Sequence, residues 1–230
     1  MTTRKKFWIT FDMKIKKPKF WDRSNLNYLS ILLFPLSLIT LLFNFLKSFS
    51  KKKKFKIKTI CIGNIYLGGT GKTPLVIELN RKLRNEYKTV FIKKKYYNQD
   101  DEQRLLKFNG NLICEKNRSK ALQKASDLDY ELALIDDGLQ DKKIKYDLSI
   151  VCFDGLVGIG NGLILPSGPL RESLNNLKYY DAVVINNGAR NNNLIKLIKK
   201  TNENINLFFG EYIISSEKKY DLNKNYFAFC

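Results

Sequence analysis

Apolar residues are concentrated first in one long block. From Asn25 to Leu46 the chain carries no charge over roughly 22 residues, enough for a helix to cross a hydrocarbon core. Cations flank the block, with Arg23 before it and Lys47 and the run Lys51 to Lys54 after it, placed to meet anionic head groups. Pro35, Asn27, Asn44 and several serines interrupt it, which leaves room for a kinked or interfacial helix beside a spanning one. A signal peptide fits less well, because lysines rather than a small-residue cleavage site follow; a buried core helix is the remaining reading.

Beyond the lysines the period changes. Short β-branched runs at Ile57 to Ile62, Thr89 to Ile92, Leu132 to Ile135, Leu148 to Phe153 and Ala182 to Ile185 alternate with helical patterns at Pro74 to Asn85, Ser119 to Ala125 and Asn193 to Lys200. Each run is too apolar for a half-exposed hairpin. The alternation predicts an α/β fold, a mainly parallel sheet with flanking helices. Two intervening stretches, Lys93 to Gln103 and Gly155 to Asn176, are rich in Gly, Pro or charge and read as functional loops.

The first run leads into GNIYLGGTGKTPLVIEL, Gly63 to Leu79. Small residues there let backbone N–H groups curl around a phosphate, and the following helix adds its positive N-terminal dipole. Lys72 is placed to reach the β- and γ-phosphates of a nucleotide and Thr73 to ligate Mg²⁺, so the sequence predicts a P-loop formed by Tyr66, Leu67, Gly68, Gly69, Thr70, Gly71, Lys72 and Thr73. Tyr66 stands where the strict pattern has glycine. Pro74 is tolerated near the helix start, where its missing N–H costs little. At the end of a later apolar run, Asp136 and Asp137 sit where parallel sheets put their ligand chemistry, and one of them is expected to complete the Mg²⁺ site with Thr73.

Composition narrows the chemistry. Among 230 residues, Lys and Arg total 41 against 22 Asp and Glu, so the surface attracts anions, whether phosphate, acidic lipid or nucleic acid. The apolar block argues against a nucleic-acid binder, and no nucleic-acid partner is expected. Cys61, Cys114, Cys152 and Cys230 form no CxxC pair, which excludes a zinc ribbon and fits a reducing cytosol. With no histidine, a Ser-His-Asp triad and a His-ligated zinc are excluded within this chain.

Three ordered motifs, GNIYLGGTGKTP, then DDGLQ at Asp136 to Gln140, then GNGLILPSGPLRE at Gly160 to Glu172, resemble the tetraacyldisaccharide 4'-kinase family. The Lys17-Pro-Lys-Phe-Trp-Asp22 segment with its following apolar helix resembles that family's membrane anchor, and Met13 is an alternative start to Met1. The resemblance implies an enzyme that moves the γ-phosphate of ATP, with Mg²⁺, to the 4'-hydroxyl of tetraacyldisaccharide 1-phosphate. It would act in lipid A synthesis, giving lipid IVA, at the cytoplasmic face of the inner membrane and against anionic lipid. It implies an organisation with residues 1–50 as basic segment and membrane helix and residues 51–230 as kinase core.

The same resemblance implies catalytic roles for Lys72, Asp137 and Asp101, the last as base activating the sugar hydroxyl in place of the family's Gly-Asp-Glu aspartate. Thr73, Asp136, Asp137 and Glu172 would serve the metal, and Arg171 and Gln140 the substrate. The family's Arg-Gly-Tyr-Gly stretch appears here as Lys94-Lys95-Tyr96-Tyr97. Family members continue beyond a segment like Tyr226 to Cys230 into a part bearing a histidine, so the chain reads as a fragment that binds ATP and transfers phosphate poorly. A membrane-anchored pseudokinase, or a GTPase or ATPase, stays open; for a GTPase the expected Asn-Lys-x-Asp is replaced after Ile185 by Asn186-Asn187-Gly188.

Overall fold

The computed structural model describes residues 17–22, 27–95, 100–187 and 191–212. Its centre is a seven-stranded parallel sheet built from β1 (Lys58–Gly63), β2 (Thr89–Lys94), β3 (Leu112–Glu115), β4 (Leu132–Asp136), β5 (Leu148–Asp154), β6 (Ala182–Asn186) and β7 (Asn206–Phe209), in the order β3-β2-β4-β1-β5-β6-β7. The α/β reading therefore holds. Period-two alternation sorts the strand residues onto two covered faces. Cys61, Ile92, Ile135, Val151 and Val183 pack against α4 (Arg118–Asp127) and α5 (Asn192–Thr201). Ile62, Phe91, Leu134, Cys152 and Val184 pack beneath α2 (Lys72–Leu83) and α3 (Asp100–Asn109).

Three elements were not legible as such. The stretch expected as a loop from Lys93 to Gln103 is instead the end of β2 and the first turn of α3, with residues 96–99 between them outside the described set. Within the α3 sequence DDEQRLLKFN only Leu106 is fully buried, so no apolar period advertises the helix. Strands β3 and β7 have four residues each and lie at the two edges of the sheet, where one-sided pairing needs little apolar content.

Register sets the site. Ile62 pairs with Asp136 and Gly63 with Val151, so the phosphate loop and the paired aspartates leave the sheet at the same carboxyl edge.

The apolar block forms α1 (Tyr28–Ser48), which Asn27 caps by accepting the Leu29 N–H and which runs unbroken through Pro35. At 21 residues it is about 31 Å long and is long and apolar enough to cross a membrane. Only 11% of its most apolar window is buried, which rules out the core-helix reading. What α1 turns inward is polar. Ser30, Ser37 and Asn44, seven residues apart, meet the segment between Asn161 and Arg171: Asn161 donates to the Ser30 hydroxyl (3.2 Å), Ser37 donates to the Ile164 carbonyl (2.8 Å), and Asn44 donates to the Arg171 carbonyl (2.9 Å).

Candidate phosphoryl-transfer site

The phosphate loop is tied down on both sides. On one side the Leu67 N–H donates to the Pro169 carbonyl (2.8 Å) and the Arg171 N–H to the Ile65 carbonyl (2.7 Å), so the third sequence motif braces the first. On the other, Asn186 donates to the Thr70 carbonyl (2.7 Å), and Asn64 donates to that of Gly68 (3.0 Å). Gly71 caps α2 at φ 77°, a conformation costly for any residue with a Cβ, and an added Cβ would also meet the Asn186 amide at 2.5 Å and the Tyr212 hydroxyl. Tyr66 to Thr73 thus form a braced turn that leads into the N-terminus of α2. Tyr66 differs in its side chain, which points away from the turn to pair with Asp22 (2.7 Å) and Lys17, while its backbone bridges to Leu170. Leu67 and Gly69 are exposed, whereas Thr70 is buried with no partner for its hydroxyl.

At the mouth of the loop stand the two aspartates, in different roles. Asp136 is fully buried; its Oδ2 accepts from Thr73 (3.2 Å) and from the Lys93 ammonium (2.6 Å), and its Oδ1 has no partner. An orphaned, buried carboxylate oxygen beside the loop threonine suits a divalent cation or its water. Asp137 adopts a left-handed conformation, φ 57°, with its N–H bound to the Ile62 carbonyl (2.8 Å). Its carboxylate takes Arg171 Nη1 at 2.8 and 3.0 Å and lies 4.0 Å from Lys72 Nζ. Burial alone would raise the Asp137 pKa, but Arg171 and Lys72 outweigh it and hold it below the ordinary value. Burial dominates at Lys72 and lowers its pKa against the pull of Asp137, leaving an ammonium suited to a phosphate partner. At Lys93 burial is outweighed by Asp136 and Glu102, and the pKa is raised.

Gln140 belongs to the same group: it accepts from Arg171 (3.3 Å) and donates to the Asn64 carbonyl (2.9 Å), locking the second motif to the first. Glu172 does not. Its Oε1 accepts from the Tyr180 hydroxyl (2.5 Å) and its Oε2 from Asn176 (2.6 Å) and Lys142 (3.0 Å), so its side chain is turned to these partners and not to Thr73 and Asp136. Asp101 is exposed in the first turn of α3, and its neighbour Glu102 pairs with Lys93.

Two basic residues escaped the sequence reading. Lys93 is the buried partner of Asp136, and Arg118, at the start of α4, donates to the Asp137 carbonyl (2.5 Å) with its Nε buried and unpartnered. Neither stands out in a chain of 41 Lys and Arg. Only the structural facts that Lys93 is the last buried residue of β2 and that Arg118 follows an unrecognised strand would have marked them. Beyond Asp137 and Arg171 opens a cavity of about 500 Å³ whose cations include Lys47, Lys94, Arg118, Lys142 and Lys143. Lys47 is the last cation of α1, so the cavity runs from the phosphate site to the end of the apolar helix.

The sequence profile of the tetraacyldisaccharide-1-P 4'-kinase family matches residues 29–226. The chain belongs to this family. A tetraacyldisaccharide 4'-kinase of Pelagibacter ubique is 51% identical over 94% of this chain and 70% of its own length, and that of Rickettsia akari is 31% identical over the same shares. A solved structure of LpxK from Aquifex aeolicus in complex with ATP superposes with a TM-score of 0.59 at 19% identity, covering 85% of this chain and 86% of that one, and shares the fold. The family is one of kinases, and the P-loop architecture expected from Gly63 to Thr73 is the one found.

Proposed function

We propose that the chain transfers the γ-phosphoryl group of ATP to the 4'-hydroxyl of tetraacyldisaccharide 1-phosphate, giving lipid IVA and ADP at the cytoplasmic face of the inner membrane. One observation carries the reading: the cationic cavity joins the Lys72–Asp137–Arg171 group to Lys47 at the end of an exposed apolar helix. A substrate with a phosphorylated sugar head and acyl chains needs that juxtaposition. Helix α1 would lie along the membrane surface, because its polar seam is held by the domain and its apolar face is left for lipid.

In this reading the acceptor oxygen forms the new P–O bond as the bond from the γ-phosphorus to the β,γ-bridging oxygen breaks, and the hydroxyl proton passes to the Asp101 carboxylate. Lys72 holds the β- and γ-phosphates, and Arg171 and Arg118 neutralise charge at the acceptor side. Thr73 and Asp136, with Asp137 beside them, would hold Mg²⁺, whose positive charge would offset the charge developing on the transferred phosphoryl group. Positioning dominates such a transfer, and a carboxylate suffices as proton acceptor.

The test is transfer of labelled γ-phosphate from ATP-Mg²⁺ to tetraacyldisaccharide 1-phosphate in mixed micelles, with Lys72→Ala alongside. Transfer that falls at least ~10²-fold in the variant is expected. ATP binding that depends on Lys72 without any transfer would replace this reading by a nucleotide-binding protein without lipid kinase activity.

A further inference from the structure

The candidate base Asp101 presents a physical problem. It must stay ionised near the γ-phosphate, yet its helix turn also carries Glu102 and approaches Asp136, so the site gathers several anions that repel one another. A cation has to stand between them. Lys93 does: it is 3% exposed, its ammonium donates to Asp136 Oδ2 at 2.6 Å, and it also donates to Glu102 Oε2 in the first turn of α3.

Helix α3 needs such a tie at that end. Its middle is fixed by Leu106, which is fully buried, and its far end by Asn80, which donates to the Asn109 carbonyl (3.0 Å). The first turn is mostly solvent-facing, with Asp101 exposed and Glu102 half-exposed.

We propose that Lys93 is a positioning residue for the acceptor-activating carboxylate: through Glu102 it clamps the first turn of α3 to Asp136 of the phosphate site and so sets where Asp101 stands. The proposal rests on the kinase reading for the role of Asp101, while the clamp itself is a matter of local structure. Lys93 would act through its neighbours, and a methionine of similar length keeps the packing while removing the charge.

The experiment uses the full 230-residue chain with Lys93→Met, Lys93→Arg and Glu102→Gln. Amide exchange is read at Arg104 and Leu105, whose helical bonds run to Asp100 and Asp101, and at Phe108 and Asn109 as internal controls. Exchange ~tenfold faster at Arg104 and Leu105 in both Lys93→Met and Glu102→Gln, with the controls unmoved, is expected. In the transfer assay kcat should fall on the order of 10²-fold with the KM for ATP unchanged, and Lys93→Arg should recover part of it. Unchanged exchange at Arg104 and Leu105 would overturn the proposal, and so would a rise in the KM for ATP that accounts for the whole loss. If Lys93→Met fails to fold because Asp136 is left buried and unpaired, Glu102→Gln, whose carboxylate is half-exposed, decides alone. Absent transfer by the unaltered chain would sink the kinase reading and leave the exchange result to judge the clamp.

Discussion

Asp137 and Arg171 form the pair whose energetics can be read from pH. Burial raises the Asp137 pKa, but the Arg171 guanidinium and then Lys72 lower it further, so its folded value lies below the unfolded one of about 3.9. A depressed carboxylate stabilises the fold fully above its unfolded pKa and loses that contribution as pH falls through the folded value. Arg171→Met removes the largest lowering influence. Denaturant unfolding of both forms should show the variant less stable at pH 7 by about 1.5–3 kcal/mol, the range for hydrogen bonds to charged groups, with the gap narrowing below pH 4 as Asp137 protonates. A gap of equal size at pH 3 and pH 7 would mean that Arg171 stabilises by packing and not by charge. Asp137, Lys72 and Thr73 were singled out in the sequence because the chemistry of phosphate demands such residues at a fixed distance from a strand end, whereas Arg171 was marked only by the resemblance of its motif. Lys93 and Arg118 were not, since what singles them out is burial, and burial of a lone cation is not written in its neighbours. Glu172, expected at the metal, adjoins Arg171 in sequence while its side chain turns to Tyr180 and Lys142, a direction that sequence adjacency does not reveal.

Among the elements, α1 shows how far pattern alone reaches. Its length and apolarity were plain, and its serines and Asn44 stood out as interruptions. Their purpose appears only when the Asn161 to Arg171 segment is folded against them, because the seam pairs residues more than a hundred positions apart. A helix that gives its polar residues to the domain leaves Leu38 and Leu42 outside, both exposed. Replacing both by Asp should release the chain from phospholipid vesicles in a flotation assay, because each leucine withdrawn from lipid forfeits about 1.5–3 kcal/mol. Thermal unfolding should hardly move. Equal flotation of the two forms would show that this face does not meet lipid. The strongly buried strands β1, β4, β5 and β6 announced themselves as apolar runs, whereas α3, β3 and β7 escaped because they are amphiphilic or lie at edges.

For the whole molecule, the proposed function has the excess of cations and the apolar helix make separable contributions to binding at a membrane. Lys47 and Lys51 to Lys54 are exposed at the end of α1, and the chain continues from them into the sheet through Lys53, whose N–H donates to the Lys143 carbonyl (2.8 Å). Each lysine held near an anionic surface contributes about 1 kcal/mol, and that contribution fades as the screening length shrinks from about 10 Å at 0.1 M salt to about 3 Å at 1 M. Burial of the apolar face of α1 does not fade with salt. Binding to vesicles rich in anionic lipid should therefore drop steeply over that salt range and level off at the value found for neutral vesicles, which should itself stay nearly flat. Replacing Lys51 to Lys54 by Gln should lower only the salt-sensitive part. If that substitution leaves the salt dependence intact, the attraction comes from the cationic cavity or the remaining surface, and the lysine run serves as a tether between helix and sheet.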